Sequence, residues 1–205
     1  MSNLFADTGC LQRIEIPDAD VWCRPRLELH AWPEEVMRQL IAETPWRSEE
    51  ITVFGRRHRQ PRLTAWYGDA EARYRYSGLD LAPLPWTELL ARIRRAVEDA
   101  AGCPFNSVLL NFYRDHRDAM GMHSDDEPEL GSEPVIASLS LGATRTFTLK
   151  HRRRKDLAPI RLVLESGTVL VMRGATQRHW KHGIARQSRP CGPRVNLTFR
   201  RISPG

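Results

Sequence analysis

No apolar run in this chain approaches the length needed to cross a membrane. The longest, such as Val108-Leu109-Leu110 and Val169-Leu170-Val171-Met172, are of strand length. No basic start followed by an apolar core appears in MSNLFADTGC, so no secretory signal is expected. Cysteine is sparse and scattered. Cys10, Cys23, Cys103 and Cys191 include no Cys-x-x-Cys spacing, which argues against a thiolate zinc site and makes reduced thiols in the cytoplasm, or in the nucleus of a eukaryote, the expectation. There is no internal repeat, low-complexity tract or long linker, so residues 1–205 are taken as a single domain, expected to be monomeric. Positive charge is in surplus: 31 Lys and Arg against 25 Asp and Glu give a net charge of +6, which favours a polyanionic partner.

The element pattern is helices first and short strands afterwards. Residues 1–50 read as an N-terminal elaboration, with short extended pieces around Ile14-Glu15-Ile16-Pro17 and a helix from Pro33 to Thr44. Glu34 and Glu35 complement its positive end, and Val36, Leu40 and Ile41 share a face. A second helix, Trp86 to Ala101, carries Leu89, Leu90, Ile93, Ala96, Val97 and Ala100 on one stripe and is stopped by Gly102. Strands are expected at 106–114, 135–141, 145–150, 160–165, 168–173 and 193–201. The fold class is therefore α+β, with a jelly-roll double sheet over 106–202 and the N-terminal helices packed on it. The basic run Lys150 to Lys155 is placed at a hairpin tip.

Chemistry gathers in four places. Between 51 and 80, Arg56, Arg57 and Arg59 are interleaved with aromatic residues, including Trp66 and Tyr67. Arginines for phosphates and rings for stacking suit a single-strand groove or a flipped-base pocket, and equally a solvated hairpin whose rings cover the core. His123 and Asp125 are two apart on extended chain, so both face one way. A third ligand has two candidates, His179 and His182, and His182 is favoured because it leads directly into extended chain. Two histidines and one carboxylate suit a non-haem Fe(II) site with open positions, with zinc as the rival metal. The last strand alternates, setting Arg194, Asn196, Thr198 and Arg200 on one side and Val195, Leu197 and Phe199 on the other. A dicarboxylate gripped by Arg194 and Arg200 would also give partners to Asn111 and Tyr113, which share a strand face.

Together these residues resemble the AlkB family of Fe(II)- and 2-oxoglutarate-dependent dioxygenases that repair alkylated nucleic acids. The resemblance spans Pro61 to Ile202 and rests on PRLTAWYG, NFY, HSDDEPELG, SLSLGATR, His182 and RVNLTFR in family order. The wording is most similar to the single-strand-preferring branch. The resemblance implies a double-stranded β-helix core with a nucleotide-recognition lid at 51–80. It implies Fe(II) held by His123, Asp125 and His182, and 2-oxoglutarate held by Arg194 and Arg200 with Asn111, Tyr113 and Asn196. Asp126 and Glu127 become candidates for the exocyclic amino group of a damaged base, while Trp66 and Tyr67 fall in the lid. The implied reaction consumes dioxygen, decarboxylates 2-oxoglutarate and releases formaldehyde from 1-methyladenine or 3-methylcytosine in DNA, single-stranded for preference, and in RNA as a further substrate. A 2-oxoglutarate-dependent hydroxylase of a protein or small molecule is the alternative, disfavoured by the basic, aromatic lid.

Overall fold

The computed structural model describes residues 9–48, 50–53, 56–72, 74–76 and 79–203. Strands β1 (Gln12–Ile14) and β2 (Asp20–Arg24) precede helix α1 (Pro33–Glu43). The hairpin of β3 (Glu50–Val53) and β4 (Arg56–Arg59), strand β5 (Leu63–Gly68), the hairpin of β6 (Tyr74–Tyr76) and β7 (Leu79–Leu81), and helix α2 (Glu88–Ala101) come next. Then follow β8 (Ser107–Tyr113), β9 (Met120–His123), β10 (Ile136–Gly142), β11 (Arg145–His151), β12 (Ile160–Leu164) and β13 (Val169–Arg173). The short α3 (Thr176–His179), β14 (Trp180–Ile184) and β15 (Arg194–Arg200) complete the chain.

Both long helices follow their local chemistry. Pro33 opens α1, and Glu34 and Glu35 occupy its first turn. In α2 the Thr87 hydroxyl accepts the Leu90 amide at 3.2 Å, and Gly102 ends the helix at φ 69°, a conformation glycine adopts without steric cost. Their apolar stripes lie on one face of a large antiparallel sheet of order β1-β2-β13-β10-β15-β8-β5. Leu40, Ile93 and Val97 there meet Val108, Leu110, Val195, Leu197 and Phe199.

The opposite face of that sheet looks onto a smaller antiparallel sheet of order β12-β11-β14-β9. Between them lies a second core of Tyr113, Ile136, Phe147, Leu149, Leu170, Met172, Trp180 and Ile184. The central strands of the large sheet are therefore covered on both sides, and every residue of β10 before Gly142 is buried. The polar side of β15, expected from its alternation, points between the sheets rather than into water.

Three differences from the sequence reading matter for the site. The N-terminal region is more than an elaboration: β2 pairs with β13 from Asp20↔Arg173 to Arg24↔Val169, and β1 adds the outer edge. Strand β5, expected in the lid, forms the other edge of the large sheet through pairing with β8, leaving the two hairpins as the rest of 51–80. Strands β9 and β14, absent from the expected set, carry two of the candidate metal ligands.

Candidate metal centre and co-substrate pocket

Strand β9 pairs with β14 so that His123 faces His182 and Met120 faces Ile184. Three steps on β9 oppose two on β14, which is a β-bulge at Gly121 and Met122. The extra residue lets both Met120 and His123 turn inward. The bulge needs the glycine opposite it, because a Cβ on Gly183 would sit 2.8 Å from the Met120 carbonyl oxygen. The two imidazoles meet edge to face with centroids 4.3 Å apart. His123 Nδ1 lies 2.9 Å from the Gly121 carbonyl oxygen, which favours the proton on Nδ1 and leaves the Nε2 lone pair free. Burial pushes the His182 imidazole down to about 4, so it stays neutral near pH 7, the form that binds metals.

Asp125 follows on a loop pinned to the segment that carries His182. Its amide donates to Gln177 Oε1 at 3.1 Å, and the Ser124 hydroxyl donates to the Trp180 carbonyl oxygen at 3.0 Å. The carboxylate is buried, with Oδ1 4.0 Å from His123 Nε2 and Oδ2 3.6 Å from His182 Nε2. Burial is the largest single influence and opposes its ionisation, but the Arg200 guanidinium, donating to Oδ1 at 2.5 Å, and the two neighbouring imidazoles together outweigh it and hold the carboxyl below its ordinary range. His123, Asp125 and His182 thus offer ligand atoms all within 4.8 Å of one another. His179 is not in this cluster; its ring stacks on His151 with centroids 5.8 Å apart.

Beside the cluster, Tyr113, Ser138, Arg194, Asn196, Thr198 and Arg200 line one cavity. Arg194 is fully buried and donates from Nη2 to Ser140 Oγ at 2.9 Å, while its Nε and Nη1 have no hydrogen-bond partner among the described residues. Burial drives its pKa down, with Tyr113 opposing; the guanidinium lies 5.1 Å from the centre of the Tyr113 ring. A buried cation with free donors costs several kcal/mol unless an anion joins it, on the order of magnitude known for buried charges. Asn196 donates to Ser138 Oγ and the Leu139 carbonyl oxygen, and Tyr113 Oη donates to Met120 Sδ at 3.4 Å. Asn111 is buried one strand over, outside the cavity lining, where its Oδ1 accepts from Arg62 Nε at 2.6 Å.

The substrate-side expectations divide. Tyr67 belongs to the core under the helices, because alternation along β5 turns it toward that face, so its ring is unavailable to a base. Trp66 points the other way and is half-buried. Asp126 is exposed and accepts from Arg152 Nη1 at 2.7 Å. Glu127 is half-buried, and burial raises its pKa against the pull of Arg200. Arg56, Arg57 and Arg59 lie on β4, and the placement of their side chains is outside the described residues.

Several contributors were missed. Ser138 and Ser140 are signalled by alternation in Ser-Leu-Ser-Leu-Gly, since they pair with Thr198 and Asn196 of β15. Gln177 and Arg145 carry no such signal. Arg145 is buried and donates to the carbonyl oxygens of Asp115, Asp118 and Ala185, tying together the loops that follow β8 and β14. Those loops border an open cleft of about 740 Å³ that contains none of the three ligand candidates.

The donor set fits a ferrous ion. His123 Nε2 and Asp125 Oδ2 are buried without a hydrogen-bond partner among the described residues, and two imidazoles with one carboxylate leave coordination positions open. A model of the 2OG-Fe(II) oxygenase superfamily matches residues 27–200. Mouse alpha-ketoglutarate-dependent dioxygenase alkB homolog 3 is 42% identical over 182 residues, covering 82% of this chain. The chain spans only 61% of that protein's length. Mouse DNA oxidative demethylase ALKBH2 is 41% identical over 180 residues, covering 83% of this chain and 75% of that protein. The solved structure of OsALKBH1 superposes with a TM-score of 0.65 over 93% of this chain and 99% of its own, at 20% identity, and shares the fold. With a His-Asp-His cluster between two antiparallel sheets and these relatives over most of its length, the chain belongs to the 2OG-Fe(II) oxygenase superfamily, among the AlkB homologues, whose cofactors are Fe(II), 2-oxoglutarate and dioxygen.

Proposed function

We propose that this protein oxidatively removes methyl groups from alkylated bases, 1-methyladenine and 3-methylcytosine, in DNA and secondarily in RNA, with single strands preferred and the monomer as the working unit inside the cell. The observation that carries this reading is the convergence of His123, Asp125 and His182 beside a fully buried arginine whose free donors face the same cavity. His123, Asp125 and His182 hold Fe(II). Arg194, backed by the Tyr113 ring, takes the far carboxylate of 2-oxoglutarate, since its unpartnered Nε and Nη1 offer a carboxylate paired hydrogen bonds. Arg200 already braces Asp125 and sits at the end of the cavity nearest the ligands, where it serves the other carboxylate. Tyr113 and Asn196 shape the wall between. When bound, the metal and co-substrate supply the oxidation that turns the N-methyl group into an unstable hydroxymethyl group, from which formaldehyde leaves.

The protein's part is orientation and dryness. Phe147 and Met172 in the cavity wall exclude water, and the Gln177 and Ser124 bonds fix the loop that presents Asp125. A methylated base must leave its stack to reach this depth, which costs least where methylation blocks pairing or the strand is single. Trp66, Asp126 and Glu127 belong to the base side, and Arg56, Arg57 and Arg59 to the phosphates. The relatives named for alpha-ketoglutarate-dependent dioxygenase and DNA oxidative demethylase activity support the reading. The test is incubation with iron, 2-oxoglutarate and a panel of methylated DNA and RNA oligomers, single-stranded and duplex. Loss of the mass of one methylene unit together with formaldehyde is expected. Succinate formation without any change in the oligomers refutes a nucleic-acid substrate.

A further inference from the structure

We propose that the outward face of the small sheet, centred on Lys150, Arg161 and Lys181, is a second nucleic-acid contact surface that grips the phosphate backbone of the strand being repaired. The inference rests on the proposed function for the identity of that strand, and on the fold for everything else. Along β11, Phe147, Leu149 and His151 turn inward and are buried, while Thr146 and Lys150 are exposed. Along β14, His182 faces the metal cluster and Lys181 is exposed on the other side. Along β12, Arg161 and Val163 are exposed.

Register brings the cations together. Lys150 pairs directly with Lys181, and Arg161 pairs with Thr148, one diagonal step from Lys150. Like charges directly opposite each other on antiparallel strands destabilise a sheet. Among the described residues neither an ion-paired carboxylate nor a covering helix or strand offsets them. No Asp or Glu occurs on β9, β11, β12 or β14, and the helices α1 and α2 pack on the large sheet. Among the described residues none of the three cations has an ion pair, whereas Arg94, Arg114, Arg117, Arg152, Arg154 and Arg200 are all paired with acids. An anion arriving from outside relieves the repulsion. Two adjacent flexible ammonium groups, with a guanidinium one diagonal step away and the exposed Thr146 hydroxyl farther along the same face, suit phosphate oxygens, a sequence-independent partner, better than base edges.

The surface is also within reach of the site. Arg152, on the turn that follows β11, is paired with Asp126 at the rim of the metal loop. Lys150 is two residues away, about 7 Å along the strand at the usual rise. A strand with one base in the cavity therefore passes from the rim onto this face within a few nucleotides.

The test uses the metal-loaded full chain and a fluorescent, unmethylated single-stranded DNA of about 30 nucleotides, titrated across a range of salt concentrations. Lys150→Ala, Arg161→Ala and Lys181→Ala together are expected to make the slope of log affinity against log salt shallower by about 2, from about 0.7 per lost cation. Affinity should fall by up to about a hundredfold at 0.1 M salt and converge on that of the parent near 1 M. Formaldehyde release from a methylated trinucleotide, too short to span from the cavity to the sheet face, should be unchanged. The charge-keeping set Lys150→Arg, Arg161→Lys and Lys181→Arg should retain the parent slope. A parental slope in the alanine variant overturns the proposal, as does an equal loss on the trinucleotide. Failure of the parent itself to release formaldehyde is a failure of the proposed function, and it is read separately from the slope.

Discussion

Replacing Gly183 with alanine probes how the two candidate ligand imidazoles come to face each other. The new Cβ would sit 2.8 Å from the Met120 carbonyl oxygen and 3.0 Å from that of Gly121, both backbone atoms of the facing strand. Carbon and oxygen approach comfortably only to about 3.3 Å, so β9 must retreat from β14 by about 0.3–0.5 Å. The displacement falls on the rung that pairs His123 with His182. Metal sites hold their ligand distances to within about 0.2 Å, so the retreat exceeds the tolerance. Overpacking of this kind costs about 1–3 kcal/mol, or about 2–12 °C of melting temperature for a chain of this size. Metal affinity should fall about 10- to 100-fold, the usual effect of disturbing what positions a ligand. Calorimetric melting of the metal-free protein and anaerobic titration with Fe(II) or Mn(II) measure the two effects separately. Gly121→Ala is the control, because a Cβ there meets nothing within 4 Å. Unchanged metal affinity in Gly183→Ala, or an equal loss in Gly121→Ala, refutes the idea that the bulge sets the ligand spacing.

Three further expectations follow from the same geometry. His182→Ala should abolish iron binding in an anaerobic titration while His179→Ala retains it, and the reverse result rejects the ligand assignment. Arg194→Met removes a buried, partly unpartnered cation, so the metal-free protein should melt no lower than the parent while affinity for 2-oxoglutarate, measured calorimetrically with Mn(II) in place of iron, drops about a hundredfold or more; undiminished affinity means the arginine serves another purpose. Burial pushes the Cys23 thiol up to about 11 from 9.0, so the unfolded chain ionises first and native stability should decline as pH rises between those values, by about 2–3 kcal/mol in total. Urea unfolding at pH 8 and pH 11 checks this against Cys23→Ala, and identical pH dependence in the two proteins rules out the thiol as its source.

Sequence patterning revealed the regular parts of the fold and was silent where the chain departs from regularity. Helix α2 was legible because Leu89, Leu90, Ile93 and Val97 recur at helical spacing before a glycine stop, while its threonine cap came only with the structure, which starts the helix two residues later than expected. Strands β8, β10, β11, β12, β13 and β15 fell within a residue or two of their expected bounds. Strands β9 and β14 did not register, because Met-Gly-Met-His and Trp-Lys-His-Gly-Ile are short, glycine-bearing and bulged, which erases the two-residue period. The candidate metal ligands were legible as residue types, and only the competition between His179 and His182 needed the third dimension. Tyr67 was misjudged as a lid residue since an aromatic pair reads the same whichever ring faces the core. Arg145 and Gln177 act through backbone carbonyl and amide groups of distant loops, contacts that leave no periodic trace.

The attachment of β2 to β13 has a kinetic consequence. Residues near position 20 leave the ribosome well before their hydrogen-bonding partners, which lie 156 and 163 positions later: the Asp20 amide donates to Thr176 Oγ1 and Trp180 Nε1 donates to the Pro17 carbonyl oxygen. The turn bearing Gln177, and through it the loop of Asp125, cannot set until β2 and β13 have found each other. Closing so long a span before any reward is collected makes assembly slow and leaves an open strand edge waiting in the nascent protein, so acquisition of a working metal site should be among the last events of folding.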